Sequence, residues 1–313
     1  MAQLEDADGV PDGPRFAVRN LNPRAIQHVK RIERQVKIMA KLRHPNIVKF
    51  NAFWKPGDDQ TYTEPCKLFF EYCDGGNVKD YLSKQRKASK PVNLLQLVVD
   101  VAYGIQYLHS DAIKVAHCDI KPTSVVITKD GVAKLTSFYH SKEMLEEDET
   151  QANSSSCPQM EDHRWTSPEA LGERVLSNRE QCLASDIYGF GLVSFFILTG
   201  KEPYALADRS QSMRDAVRKE EPAKFEDSFT EEAKAALREH SHLTEDGIVE
   251  LWGLLTDCWA KDRHQRPTIN TVIERLNALP EVSLIRRETP STDAQASQAP
   301  TPDTSSDTSE TAA

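Results

Sequence analysis

The chain has 313 residues, of which 39% are hydrophobic, and a formal net charge of -9 at pH 7. This length and apolar content predict one large domain with a sizeable core. The acidic balance disfavours nucleic acids and anionic membranes as partners, because both need a basic excess. The 6 cysteines show no metal-ligand spacing, and no apolar run reaches the ~18 residues that span a bilayer. We therefore expect a globular protein of the cytoplasm, with the nucleus as the alternative.

The first part of the chain predicts a lead-in, a helix and two strands. Residues 1–15 are rich in Asp, Gly and Pro, which is typical of a disordered segment. Residues 24–43 have the apolar spacing of an amphipathic helix, and the apolar runs Ile47–Phe53 and Lys67–Phe70 predict strands. The helix also carries a basic stripe, which predicts either a solvated face or a docking surface for an acidic partner. The stripe consists of Lys30, Arg34, Lys37 and Lys41.

The second part of the chain is predicted to be mostly helical. Apolar spacing predicts helices over Val78–Lys87 and Leu94–His109, and a strongly apolar helix extends from Ser185 to Leu198. Residues 281–313 are rich in Ser, Thr, Pro and Asp and predict a disordered tail. The candidate proline-directed phosphorylation sites in this tail are Thr289 and Thr301.

The run His117–Ile127, His-Cys-Asp-Ile-Lys-Pro-Thr-Ser-Val-Val-Ile, resembles the catalytic loop of protein kinases, His-Arg-Asp-x-Lys-x-x-x-x-Asn. Ser137-Phe138-Tyr139 stands where that family has its metal-binding Asp-Phe-Gly, and Ser167-Pro168-Glu169 is similar to its Ala-Pro-Glu. Residues 251–268 resemble the closing motif of the tyrosine-kinase-like group. The resemblance implies an α+β, protein-kinase-like two-lobe fold with a reduced β-rich N-lobe and a helical C-lobe. The implied bounds are 16–73 for a partial N-lobe and 74–280 for the C-lobe.

The resemblance also implies roles for individual residues. Asp119 and Lys121 match the catalytic aspartate and lysine of the family. The resemblance implies that ATP is contacted by a strand at Phe16–Arg19, by the hinge between the lobes and by the floor of the pocket. The strand supplies Ala17 and Arg19, the hinge supplies Glu71 and Cys73, and the floor supplies Val126. The structural positions are the ion-pair partners Glu169 and Arg266, the loop-holding Asp186, and a hydrophobic stack of Met39, Phe50, His117 and Phe138.

Several departures from the family pattern fall at the positions that handle the metal and the phosphates. Ser124 and Ser137 replace the Asn and Asp that hold Mg²⁺ in kinases, and a neutral hydroxyl is a weak ligand for that hard cation. Arg19 stands for the nucleotide-binding lysine and Gln35 for the glutamate that pairs with it, so a hydrogen bond between them replaces the ion pair at best. We therefore expect no metal site, and ATP stays open as a ligand.

Other departures affect activation. The fifteen residues before Phe16 are too few for the two strands and the Gly-rich loop of a kinase, so these are either lost or missing from a truncated record of the chain. Cys118 replaces the arginine that reads a phosphorylated activation segment. Asp162 falls where Ser/Thr kinases have a threonine that contacts the catalytic aspartate, and a second carboxylate there would be repulsive.

These features favour a catalytically impaired kinase homologue, a pseudokinase, acting as a scaffold or allosteric partner. Its expected partners are signalling proteins, with an active kinase among the candidates. One alternative is an active ATP-dependent Ser/Thr kinase that holds its metal in an atypical way or whose N-terminus is misrecorded. Another is metal-free nucleotide binding used as a switch.

Overall fold

A computed structural model describes residues 15–21, 26–55, 66–144, 163–172, 178–204 and 243–282, together with the single residues 217, 235 and 238. Most of the predicted lead-in and tail lie outside these residues, as do Asp162, Thr289 and Thr301. The side chains of residues 26–30, with that of Lys30, are outside the description as well.

The N-terminal part is a three-stranded antiparallel sheet with one helix. The strands are β1 (Phe16–Leu21), β2 (Phe50–Trp54) and β3 (Cys66–Glu71), in the order β1-β3-β2. Helix α1 (Ile26–Lys41) packs against β2, and its apolar stripe is buried as the spacing predicts. β2 is shorter than the predicted run, because Ile47 forms only an isolated bridge.

Two helices come next, and both have the bounds that the sequence predicts. They are α2 (Val78–Lys87) and α3 (Leu94–His109). The side chains of Asn77 and Asn93 accept hydrogen bonds from the backbone three residues on, so each helix has an N-cap where its apolar pattern begins. The predictions for these two helices are confirmed.

Short strands frame the loop that follows α3. Strands β4 (Gly76–Asn77), β6 (Val125–Ile127) and β7 (Ala133–Leu135) form one sheet in the order β4-β6-β7. Strands β5 (Val115–Ala116) and β8 (Lys142–Glu143) form a two-stranded sheet. The loop between β5 and β6 and the turn after β7 are therefore both fixed at their ends. Each contains a 3₁₀ turn, at Pro122–Ser124 and at Phe138–His140.

The C-terminal part is helical and is built around one buried helix. Its helices are α4 (Pro168–Gly172), α5 (Arg179–Thr199), α6 (Glu245–Cys258) and α7 (Ile269–Ala278). Helix α5 packs against α3 and α6, and α3 also packs against α7. One apolar core continues from the N-terminal sheet through α3 to these helices. The described residues thus show the predicted α+β class, with helices in the majority.

Helix α5 has the length and hydropathy of a membrane-crossing segment. The sequence predicted that no apolar run would be long enough for this. Of its 18-residue apolar window, 78% is buried inside the protein. Burial of this kind is typical of a core helix, whose apolar side chains pack against neighbouring helices. Asn178 caps its start, and Gly200, with a φ of 71°, ends it in the left-handed region that favours glycine.

The structure extends beyond both predicted domain bounds by one or two residues. Arg15 donates to Asp74 Oδ1 over 2.5 Å, and its guanidinium lies 4.7 Å from the centre of the Tyr72 ring. At the other end, Val282 is buried and Glu281 accepts a hydrogen bond from the Thr244 N–H. Both segments were predicted to be disordered from their composition, which does not show contacts with residues distant in sequence.

Candidate functional site

A buried carboxylate on α5 holds the loop between β5 and β6. Asp186 is 1% exposed, and its two oxygens accept the backbone N–H groups of His117 and Cys118, each over 2.7 Å. His109 Nε2 lies 2.9 Å from Asp186 Oδ2. Cys118 has a φ of 61°, which is costly for a residue other than glycine. The two hydrogen bonds stabilise this conformation, so Asp186 determines the path of the loop.

His117 and Phe138 join this loop to the turn after β7. The His117 ring is fully buried and its centre lies 5.0 Å from that of Phe138. Nε2 donates to the Thr136 carbonyl over 2.8 Å, and Nδ1 accepts the Asp119 N–H at 3.3 Å. Burial lowers the pKa of His117, so the neutral ring, protonated on Nε2, is the form that fits these partners.

The other two members of the predicted stack lie in the N-terminal part. Met39 is 2% exposed on α1, which packs against the turn containing Phe138. Phe50 on β2 is partly buried, and its ring meets that of Phe70 edge to face at 5.8 Å. Met39 thus lies on the helix that packs against the turn of Phe138, whereas Phe50 packs against Phe70 within the N-terminal sheet.

Asp119 and Lys121 form the charged centre of the loop. Lys121 Nζ lies 2.9 Å from Asp119 Oδ1, and the Asp119 residue is 8% exposed. Burial raises the pKa of the Asp119 carboxyl, while the charges of Lys121, His117 and Arg19 act to lower it. A carboxylate beside an ammonium group can orient a hydroxyl. The charges of Asp119 and Lys121 cancel, so this pair does not offset the charge of a divalent cation.

The two positions that correspond to metal ligands in kinases are poor metal ligands here. Ser124 is fully buried, and its Oγ has no hydrogen-bond partner among the described residues. Ser137 is partly exposed and adopts a left-handed backbone conformation, with φ 71° and ψ 46°. Mg²⁺ prefers charged oxygen ligands, because they offset the loss of its hydration shell. The residues present do not fit a Mg²⁺ ion.

No alternative metal cluster takes over this role in the part of the chain that the structure describes. The described residues contain no group of three or more His, Cys, Asp or Glu side chains that could surround an ion. The charged groups of the loop itself are the Asp119 carboxylate and the cations that act on it, Lys121 and Arg19.

Arg19 does not pair with Gln35, and the charge of Asp119 acts on its guanidinium. Gln35 is 1% exposed; its Nε2 contacts Met39 Sδ at 3.7 Å, and its Oε1 has no partner among the described residues. The hydrogen bond that the sequence allowed between Arg19 and Gln35 is not formed. Burial lowers the pKa of Arg19, whereas Asp119 and then Tyr139 attract its charge and act to raise it.

The hinge residue Glu71 is fixed by contacts from two sides. Its carboxylate accepts two hydrogen bonds from Lys134 Nζ, at 2.8 and 2.9 Å, and one from the Lys49 N–H at 2.6 Å. Cys73 follows two residues later, and its carbonyl accepts the Gly76 N–H. Burial raises the pKa of the Cys73 thiol to about 11, so this thiol is neutral at physiological pH.

Ala17 and Val126 lie in two different sheets. Ala17 pairs with Phe70 in the register of β1 and β3, and Val126 pairs with Asn77 and Lys134 in the sheet of β4, β6 and β7. Both side chains are partly buried and pack at the edge of the main core. One is small and the other is β-branched. The two positions that were expected to flank an adenine are therefore apolar.

Glu169 and Arg266 form a buried bidentate ion pair in the C-terminal part. Arg266 donates to the two carboxylate oxygens of Glu169 over 2.6 and 2.9 Å. The Arg266 side chain is 1% exposed and the Glu169 side chain is 8% exposed. Arg266 also donates to the carbonyls of Ala184 and Ala260 and lies over the Tyr188 ring. The guanidinium is thus satisfied by several partners, as a buried charge requires.

The basic stripe on α1 is partly engaged within the protein. Lys41 and Lys37 lie 2.7 and 3.8 Å from the carboxylate of Glu143 on β8. Arg34 is partly buried, and burial lowers its pKa. The side chains of Lys37 and Lys41 are still 67% and 57% exposed, so the predicted solvated face is present and Glu143 lies at its edge.

Two functional features were missed by the sequence reasoning. Asp100 lies within the apolar face of α3, where it accepts the Ala133 N–H at 2.9 Å and Gln96 Nε2 at 2.7 Å. Burial raises the pKa of its carboxyl to about 6. Cys182, on the first turns of α5, packs against Cys118. An acidic residue flanked by Val99 and Val101 was a visible signal for the first feature, while nothing local signals the second.

Comparisons with known proteins give a consistent result. A family model described as protein tyrosine and serine/threonine kinase matches residues 11–276. The chain is 26% identical over 272 residues to the dual specificity protein kinase pyk3 of Dictyostelium discoideum, covering 87% of this chain and 17% of that protein. It is 25% identical over 265 residues to the serine/threonine-protein kinase STY17 of Arabidopsis thaliana, covering 84% and 40%.

A third relative comes from a virus. The chain is 27% identical over 249 residues to the putative serine/threonine-protein kinase/receptor R831 of Acanthamoeba polyphaga mimivirus, covering 79% of this chain and 13% of that protein. The chain therefore spans less than half the length of each of these three relatives. The likeness in all three cases falls on one region of a longer protein.

Proposed function

The chain belongs to the protein tyrosine and serine/threonine kinase family, and on that premise we propose that it is a pseudokinase acting as a scaffold or allosteric partner. Its partners in this proposal are signalling proteins of the cytoplasm or nucleus, an active kinase among them. The single observation that carries the proposal is the pair Ser124 and Ser137, which stand where the family has its two metal ligands.

Phosphoryl transfer depends on neutralising charge that develops on the transferred group, and kinases do this chiefly with Mg²⁺. Two neutral hydroxyls do not offset the dehydration of Mg²⁺, and one of them, Ser124 Oγ, is fully buried. The remaining carboxylate, Asp119, already has an ammonium partner in Lys121. Both metal-binding positions therefore lack a charged ligand. No single carboxylate among the described residues replaces both.

The intact frame around the cleft supports a function based on shape. Asp186 still fixes the loop backbone, and Glu169 and Arg266 keep the buried ion pair that stabilises the C-terminal part. Neither contact needs a metal or a nucleotide. A surface presented by such a frame can recognise a partner protein whether or not chemistry takes place in the cleft.

A second candidate function is metal-free nucleotide binding used as a switch. The observation that favours it is the pair of cations, Arg19 and Lys121, whose charges both act on the carboxylate of Asp119. Cations at this position suit the phosphates of ATP without Mg²⁺. The apolar positions Ala17 and Val126 would then flank the base.

Thermal unfolding of the full chain, titrated with ATP with and without Mg²⁺, tests these proposals, because a ligand that binds only the folded state raises the midpoint. The scaffold proposal predicts no Mg²⁺-dependent rise and no phosphotransfer to a generic protein substrate. A rise that does not depend on Mg²⁺ supports the nucleotide switch. A Mg²⁺-dependent transfer rate that Asp119→Asn abolishes would refute the pseudokinase and support an active kinase.

A double variant tests whether the two serines are the cause. Ser124→Asn with Ser137→Asp restores the family's ligand types at both positions, and we expect it to acquire a Mg²⁺-dependent rise with ATP that the unmodified chain lacks. The matched control is Ser124→Ala with Ser137→Ala, which removes the hydroxyls without adding a ligand and should give no such rise. Equal responses of the two double variants would contradict the metal-site argument.

A further inference from the structure

One face of α5 packs directly on the loop between β5 and β6. Cys182, Asp186 and Gly189 are spaced four and three residues apart, so they lie in one row along the helix. Asp186 accepts the N–H groups of His117 and Cys118 in that loop. At Gly189, an added Cβ would lie 2.9 Å from both the Cβ and the carbonyl oxygen of Ile120. Two of the three residues in the row therefore touch the loop.

Cys182, the first residue of the row, meets Cys118 of the same loop. Cys182 is 1% exposed and packs with Ala116, Met144 and Ala170 in a small apolar cluster, and the partly exposed Cys118 packs against this cluster. Both cysteines are free thiols.

From this juxtaposition we propose that Cys118 and Cys182 form a reversible disulfide on exposure to a peroxide, which ties the loop to α5. The bond would close a ring over residues 118–182, which contains Glu169 and the segment between β8 and α4. The proposal does not depend on the proposed function, because the loop and α5 are present whether or not the cleft binds a nucleotide.

The chemistry of the step balances with hydrogen peroxide as the oxidant. One thiol loses its proton, and the thiolate attacks the O–O bond to give a sulfenic acid and hydroxide, which takes up the released proton as water. The second thiol then attacks the sulfenic sulfur, and the S–S bond forms as another water leaves. Two thiols are oxidised, one peroxide is reduced, and two waters are produced.

The charges around the pair are consistent with this step. The interaction between the two neighbouring thiols lowers the pKa of Cys182 and raises that of Cys118. The Lys142 ammonium acts to lower the pKa of both, and the Asp186 carboxylate acts to raise it. The two thiols thus differ in acidity, and Cys182, the more acidic one, is the first nucleophile of the step.

The other described cysteines are less suited to the reaction. Cys66 and Cys73 lie on β3 and in the hinge, and Cys258 is fully buried at the end of α6. Burial raises the pKa of each of these three thiols. Cys157 lies outside the described residues. The experiment below separates a disulfide to Cys157 from the proposed one, because Cys157 lies in a different tryptic peptide.

Peptide mapping of the full chain tests the proposal directly. The reduced protein is exposed to hydrogen peroxide, its free thiols are blocked, and the trypsin digest is analysed by mass spectrometry. Trypsin does not cleave before Pro122, so Cys118 lies in peptide 115–129, Cys182 in 180–201 and Cys157 in 143–164. We expect a linked pair of 115–129 with 180–201, lighter by two hydrogen atoms than the separate peptides, which dithiothreitol separates.

Variants and a second readout complete the test. Cys157→Ser should keep the linked pair, whereas Cys182→Ala or Cys118→Ser should lose it. Oxidation should also raise the midpoint of thermal unfolding of the unmodified chain by several degrees and leave that of Cys182→Ala unchanged. Peroxide treatment that leaves both peptides unlinked, or that links either one to 143–164, overturns the proposal, and this result needs no variant to fold.

Discussion

Glu169→Gln should destabilise the protein far more than the loss of an exposed ion pair at the same distance. The substitution keeps the shape of the side chain but removes its charge, and it leaves the Arg266 guanidinium, 1% exposed, without an anionic partner. Removing one partner of a buried pair typically costs about 3–5 kcal/mol. Since domains are stable by only about 5–15 kcal/mol, this is a large share of the total.

The matched control is Arg275→Gln. Arg275 Nη1 lies 2.6 Å from Asp257 Oδ2, the same separation as Arg266 Nη1 from Glu169 Oε1, but the Arg275 and Asp257 side chains are 32% and 53% exposed. Exposed pairs contribute less than about 1 kcal/mol, because water screens them. Burial and not distance is therefore the variable that separates the two substitutions.

Urea unfolding at neutral pH measures both effects on one scale. We expect Glu169→Gln to lower the free energy of unfolding by about 3–5 kcal/mol with an unchanged m-value, and Arg275→Gln by less than about 1 kcal/mol. For a domain of this size the first loss corresponds to a fall in the thermal midpoint of about 2–4 °C per kcal/mol. Equal losses for the two variants would refute the argument that the buried pair stabilises the C-terminal part.

Two further predictions concern single residues. In Asp100 the pKa rises from 3.8 to about 6 on folding, so between these pH values the folded state keeps a proton that the unfolded chain releases. Stability should therefore fall by about 3 kcal/mol as pH rises from about 4 to about 6, and Asp100→Asn should remove this slope in urea unfolding across that range. A variant with the same slope as the unmodified chain would contradict the assignment. Gly189→Ala should cost about 1–3 kcal/mol, because its Cβ meets the Ile120 backbone. Gly253→Ala in α6, where the Cβ makes only an ordinary contact with Arg275, should instead be neutral or stabilising by up to about 1 kcal/mol in the same assay, and a similar loss in both would refute the close-approach argument.

The helices that the sequence predicts with correct bounds are those whose ends carry a local signal. For α2 and α3, an Asn cap stands directly before the apolar pattern, and both features lie within a few residues of one another. The family and the α+β fold class, predicted from the kinase-like motifs, are likewise confirmed. The contacts that were missed join distant residues, such as Arg15 with Asp74 and Lys41 with Glu143. Periodicity carries no information about such pairs.

The candidate site was located by motif, while its internal geometry was not. The motif placed Asp119 and Lys121 in one loop, where the structure has them 2.9 Å apart. The motif did not show whether Arg19 would pair with Gln35, because that depends on the conformation of a long side chain. The Asp119 carboxylate attracts the guanidinium more strongly than a neutral amide does.

The substitutions in the cleft also have a consequence for stability that follows from the same electrostatics. A carboxylate buried without a cation is strongly destabilising, so a kinase that keeps its metal ligands depends on Mg²⁺ or solvent to compensate them. Serines at 124 and 137 remove that requirement, and the one remaining acid, Asp119, is compensated by Lys121 and Arg19. For the proposed pseudokinase, the cleft is thus electrostatically self-sufficient without a metal. The fold around Asp186 and Arg266 can then hold its shape in the absence of any nucleotide, which is the property that a protein-binding scaffold needs.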